Sequence, residues 1–200
     1  MNSHSEKQGV VSVEGRRGFL RRSSGAILSA SAVALIAGCE SMAGSHSSAK
    51  SADDVGILNI ALGLEHEAIG AYQISAGSGL LSKPVLDAAT IFLGHHKQHR
   101  DTLASVISKM GGTPVGAKSN ADYAKKLNAA SLKSEQDILK LAHRLEQGAA
   151  NAYISVVPKF QSGDLAHAAA RISADEVMHF TVLTQVLGGA LPTEALSFGA

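Results

Sequence analysis

The sequence predicts an all-α chain: a four-helix bundle made of two helical hairpins joined by one long crossover. Three observations predict it. Four apolar-periodic segments follow residue 53, each about 23–27 residues long, or roughly 35–40 Å as helix. The first and third connections are short, whereas the middle one, of about 23 residues, can travel the length of a bundle and return. The second half of the chain also repeats the first. No segment shows the alternation of a strand, and there is no two-residue hairpin signal. Composition agrees: 45% of the 200 residues are hydrophobic, but only 4% are aromatic and none is Trp, so small and aliphatic side chains must fill the interior.

Residues 1–38 read as a removable signal. Arg16-Arg17-Gly18-Phe19-Leu20-Arg21 has the pattern R-R-x-F-L-K/R, followed by an uncharged run from Gly25 to Ala37. That run spans roughly 20 Å as helix, short of the ~30 Å of a bilayer core, and suits a signal's apolar region. It resembles a twin-arginine export signal. It ends in Ile36-Ala37-Gly38-Cys39, which resembles a bacterial lipobox, with Ile36 where Leu is commonest. Cys39, the only Cys of the chain, is then the lipid-attachment residue, and several acyl chains on one Cys hold a membrane firmly. Residues 39–52, small and polar, read as a flexible tether. The expected location is the periplasm or cell envelope.

Residues 53–190 form the bundle. Asp53 or Asp54 is a candidate cap for the first helix, which runs to about Ala76, where Gly77-Ser78-Gly79 breaks it. Pro84 fits the first turn of the second helix, which runs to Met110 and stops at Gly111-Gly112-Thr113-Pro114. The crossover carries a short helix near 121–128. Ser134, or Ser131 upstream, opens the third helix, which runs to about Val157, with Pro158 ending it; Asp164 opens the fourth, and Gly188-Gly189 closes it. Residues 191–200 are a C-terminal tail.

The two hairpins match in sequence. Leu64-Glu65, Ala68 and Ala71-Tyr72 fall on Leu145-Glu146, Ala149 and Ala152-Tyr153 at an offset of 81, giving L-E-x-x-A-x-x-A-Y twice. At an offset of 80, His96 and His99 fall on Glu176 and His179, Leu103 on Leu183 and Val106 on Val186. Two matches at nearly one offset indicate an internal duplication.

Ligand-type residues interrupt the apolar stripes. The stripes are Leu58, Ala61, Leu62, Glu65, Ala68, Ile69 and Tyr72 on the first helix, and Phe92, His96, His99, Leu103, Val106 and Met110 on the second. On the third they are Ile138, Ala142, Leu145, Glu146, Ala149 and Tyr153, with Glu146 at the edge, and on the fourth Ile172, Glu176, His179, Leu183 and Val186. A buried unpaired carboxylate costs several kcal/mol or protonates, so several carboxylates on one packed face call for cations.

These residues resemble the ferritin-like di-metal carboxylate family, in which two helices each supply a Glu and the other two each supply Glu-x-x-His. Glu65 and Glu146 match the single carboxylates, Glu176 and His179 match one Glu-x-x-His, and His99 matches the His of the other. His96 stands where the family has Glu, leaving three carboxylates and an added nitrogen, which favours zinc, copper or nickel relative to iron, the family's usual metal. The resemblance implies a ferritin-like bundle with a site for two divalent metal ions: iron first, manganese or zinc as alternatives, or no metal. Tyr72 and Tyr153 are core tyrosines with bonded hydroxyls or donors to the ligating carboxylates. His143, three before Glu146, is a candidate auxiliary ligand; His66, His95 and His167 read as solvated, and Lys125-Lys126 as surface.

Two functions compete. One is a lipid-anchored di-metal protein whose partners are metal ions and small redox species, O₂ or peroxide. The other is a metal-free structural or stress-related bundle of the envelope. A formal charge of +1, or −2 once Lys7, Arg16, Arg17, Arg21, Arg22, Glu6 and Glu14 leave with residues 1–38, gives no basis for nucleic-acid binding. A single Cys excludes a disulfide within the chain and a rubredoxin-like iron centre.

Overall fold

A computed structural model describes residues 47–199, with side chains from residue 52 onward. The signal segment, Cys39 and the first part of the tether lie outside the described residues. Five α-helices and two 3₁₀ turns, with no strand among the described residues, make up the fold: α1 (Ser47–Ala76), α2 (Lys83–Lys109), α3 (Asn120–Lys126), α4 (Glu135–Val156) and α5 (Gly163–Val186). None of these helices is long and apolar enough to cross a membrane. α1 packs chiefly on α2 and α4 on α5, forming the two hairpins, and α1 also meets α4 to close the bundle.

Each hairpin's second helix ends alike. Gly111 and Gly188 adopt φ of 78° and 71°, the left-handed region where Gly carries no Cβ penalty. The amides of Gly111 and Gly112 donate to Ser108 and Ile107 carbonyls, and those of Gly188 and Gly189 to Gln185 and Thr184, the same C-terminal cap twice. Pro84 sits in the first turn of α2, and Ser134 caps α4 by accepting from the Asp137 amide, as the sequence predicts. Ser162, rather than Asp164, caps α5.

α1 is helical from Ser47, the first described residue, so residues 47–52 of the segment read as tether are helical. Asp54 is therefore no N-cap; it is buried and accepts from the Gln161 amide, tying α1 to the α4–α5 loop. The crossover follows α1. Asn59 grips it with both ends of its amide, donating to the Thr113 carbonyl and accepting from the Val115 amide, and the His66 ring bonds the Val115 carbonyl at 3.0 Å. His66 is thus a half-buried clamp and not a solvated side chain. α3, opened by a capping box of Ser119 and Asp122, presses Tyr123 onto α1 at Gly70, where a Cβ would come within 2.5 Å of the ring.

The stripes of α1 and α2 are buried as predicted, except that Met110 is only partly covered. On α4 the buried face is turned slightly: Leu139, Leu141 and Ala150 are covered, while Ala142, Leu145 and Ala149 are half-exposed, and Glu146 lies at the centre of that face and not at its edge. On α5 the stripe stops at Leu183, and Val186 is 52% exposed. The C-terminal tail returns to the bundle: Phe198 meets Phe180 edge-on and the Gly199 amide donates to Asn151.

Candidate metal centre

Three glutamates and three histidines converge at mid-bundle. Glu65 comes from α1, His96 and His99 from α2, Glu146 from α4, Glu176 and His179 from α5, and all six are buried. Helical spacing does this: three residues separate His96 from His99 and Glu176 from His179, so each pair shares the inward face.

The atoms form two groups of four. Glu65, His96, His99 and Glu176 offer ligand atoms within 4.8 Å of one another, and so do His96, Glu146, Glu176 and His179. His96 and Glu176 belong to both. Glu176 Oε1 lies 3.1 Å from His99 Nδ1, while its Oε2 lies 3.4 Å from His179 Nδ1, so the carboxylate faces both groups. His96 spans them differently: its Nδ1 is 2.9 Å from Glu65 Oε2 and its Nε2 3.2 Å from Glu146 Oε1.

Two tyrosines support the carboxylates crosswise. Tyr72 donates to Glu146 Oε1 and Tyr153 to Glu65 Oε1, each at 2.5 Å. Both tyrosines are buried, and their hydroxyls are bonded to the two carboxylates.

Two further residues complete the histidines, and sequence reasoning missed both. Asp175 Oδ2 lies 3.1 Å from His99 Nε2, and His95 Nδ1 lies 2.9 Å from His179 Nε2 with the rings stacked. His95 is therefore a half-buried partner of the cluster, not a solvated side chain. His95 and Asp175 stand at equivalent positions of the repeat, each one residue before the paired position, but their types differ, so the repeat does not signal the pairing. An imidazole bonded through one nitrogen has the other ring nitrogen aimed inward in a set orientation. His143 is no auxiliary ligand; its Nε2 bonds Thr184 Oγ1 and its ring lies on Phe180. His167 is exposed.

The electrostatics follow from burial and pairing. Burial opposes charge on Glu65, but His96 and His99 outweigh it and bring the carboxyl down to about 2. Burial likewise opposes charge on His99, yet the carboxylates of Glu176 and Glu65 push it up to about 10. His96 is raised well above the usual imidazole value: burial opposes this, and Glu146 and Glu65 prevail. Glu176 is raised, chiefly by burial, and is the carboxylate least compensated by its neighbours. Burial and the adjoining carboxylates push the Tyr72 and Tyr153 hydroxyls up, keeping them protonated donors. Burial and the neighbouring His179 push His95 below the usual imidazole value.

The donor set fits a cation. His99 Nδ1 and both oxygens of Glu176 are buried without a hydrogen-bond partner, at the place where the two groups meet. Buried polar atoms of this kind are rare unless something polar joins them. Three carboxylates and three imidazoles are suitable ligands for a divalent transition metal.

Residues 53–189 match the family described as "Ferritin-like domain". The chain belongs to the ferritin-like domain family. Among solved structures, this ferritin-like chain is similar to a conserved hypothetical protein from Mycobacterium tuberculosis, with a TM-score of 0.62 and 26% sequence identity; the match covers 74% of this chain and 99% of that one. No curated protein sequence matches it. The ferritin-like domain thus carries, at mid-bundle, buried His and Glu groups able to hold a metal ion.

Proposed function

We propose that the protein holds a pair of divalent metal ions, iron first among them, and that it works at the cell envelope after twin-arginine export, anchored through Cys39. The observation that carries the metal reading is a trio of buried atoms, His99 Nδ1 and Glu176 Oε1 and Oε2, that meet their neighbours only at ion-pair distances of 3.1–3.7 Å and make no hydrogen bond, between two four-ligand groups. Glu65, His99, Glu146, Glu176 and His179 are the ligands in this reading, with His96 shared between the two positions. Iron held there would supply electrons for O₂ or peroxide chemistry. Tyr72 and Tyr153 hold the two single carboxylates, and Asp175 and His95 orient the two histidines. Export and anchoring are supported by Arg16-Arg17-Gly18-Phe19-Leu20-Arg21 and by Cys39 after the apolar run.

A specific observation favours the second reading, a metal-free envelope bundle. An ionised carboxylate only accepts, so the two bonds of His96 to Glu65 and Glu146 together require N–H on both nitrogens. An imidazolium there balances carboxylate charge that a metal would otherwise balance. Metal analysis of protein purified after native export separates the readings. Stoichiometric iron or manganese, lost in Glu176→Ala/His179→Ala with the helical circular-dichroism spectrum retained, supports the metal pair. Metal-free protein that cannot be reconstituted supports the second reading.

A further inference from the structure

The duplication is unequal at one end of the bundle. α1 is already helical at Ser47, the first described residue, but the residue 81 further on, Asn128, has a left-handed φ of 52°, and α4 starts only at Glu135. Among the described residues, α1 therefore extends at least about two turns further at its N-terminal side than α4 does. Equivalent positions at the two ends also differ in burial: Val106 is 4% exposed and Val186, its counterpart, 52%. Gly112 packs against Val55 of α1, whereas the residue 81 beyond Val55 is the exposed Gln136 of α4, and the atoms near Gly189 are those of Thr184.

At this end of the bundle a cavity of about 250 Å³ lies between all four long helices, with the exposed Val182 and Val186 at its mouth. Ala89 and Ala142 line its sides, and Tyr72 and Phe92 its inner wall. No charged side chain lines it. The inner wall is also the wall of the centre: Phe92 stacks on His179 with ring centroids 4.1 Å apart, and Tyr72 donates to Glu146.

We propose that this cavity is a binding site for a small neutral apolar molecule, a short alkyl or alkyl-aromatic compound, held one side chain away from the metal centre. The placement beside a metal rests on the reading above; the pocket itself does not. The occupant follows from size and chemistry. An apolar cavity of about 150 Å³ binds benzene, so this one has room for a somewhat larger hydrocarbon. A charged ligand would lose hydration with no charged partner on these walls.

Ethylbenzene is the probe, titrated calorimetrically into the full protein in EDTA. Saturable one-to-one binding is expected, with benzoate and phenethylammonium not binding. Ala142→Leu and Ala89→Leu fill the cavity from two different helices, and each should weaken ethylbenzene at least tenfold while leaving the helical spectrum unchanged. No saturation up to the solubility of ethylbenzene, or unchanged affinity in both folded variants, overturns the proposal. So does a wild-type dimer that persists in ethylbenzene and dissociates in Ala142→Leu, which would assign the opening to a second copy. With Co²⁺ loaded, ethylbenzene should shift the visible spectrum. Ethylbenzene binding in EDTA by a protein that takes no metal sinks the metal reading alone, and metal binding without ethylbenzene binding sinks the pocket alone.

Discussion

The hydroxyl of Tyr153 on α4 donates to Glu65 Oε1 on α1 at 2.5 Å, and its repeat partner Tyr72 on α1 donates to Glu146 on α4 in the same way. Each half of the duplication thus holds the carboxylate of the other. The same exchange relates His95 and Asp175, which bond His179 and His99 across the α2–α5 contact.

Removing one of these hydroxyls tests the exchange. Tyr153→Phe leaves the buried Glu65 oxygen unpaired and should destabilise the metal-free protein by about 1.5–3 kcal/mol, the usual worth of a hydrogen bond to a charged group. Metal affinity should fall about 10- to 100-fold, as for other groups that orient ligands. Urea denaturation and metal titration measure the two effects; a variant equal to wild type in both would remove Tyr153 from the site's support.

Asp175 and His95 are equivalent in the repeat but unlike in chemistry. A carboxylate makes the imidazole it pairs with a stronger donor than a neutral histidine does. The His99 group should therefore fill first, giving two-step binding in a calorimetric titration. Asp175→Asn should weaken the first step about 10- to 100-fold and bring the two steps together. A single step of unchanged affinity in Asp175→Asn would count against this ordering.

His96→Glu restores the family's pattern and replaces a cationic partner with a fourth carboxylate. Without metal the protein should lose about 3–5 kcal/mol, the cost of breaking a buried pair. Preference should move from Zn²⁺ toward Mn²⁺ and Fe²⁺, and Mn²⁺ should restore the melting temperature. Failure of Mn²⁺ to restore it would favour the metal-free reading.

The pH dependence has a defined sign. His99 is raised from 6.5 to about 10, so its stabilisation is complete below pH 6.5 and disappears as pH rises toward 10. Glu65 is lowered from 4.5 to about 2, so its stabilisation is complete above pH 4.5 and is lost as pH falls toward 2. The metal-free protein should be most stable between about pH 4.5 and 6.5 and weaken toward pH 9. Metal reverses the upper limb, because ligating imidazoles are neutral and binding releases protons. Urea midpoints at pH 5.5, 7.5 and 9, with EDTA and with Mn²⁺, check this; a flat metal-free profile above pH 6 would refute the pairing.

Periodicity, loop lengths and the repeat determine the bundle from sequence alone. The inward positions of Glu65, His96, His99, Glu146, Glu176 and His179 follow as well, because a helix converts spacings of three and four into a shared face. The roles of His95 and Asp175, the turned face of α4 and the clamp at His66 were decided by the tertiary structure. Each depends on which helix stands opposite, and no spacing within a single helix encodes that. The opening beside Val186 is of the same kind: its stripe position reads as core, as Val106 does, yet the folded bundle leaves it 52% exposed. Burial belongs to the neighbour that arrives, and a periodic pattern records only the face prepared to receive it.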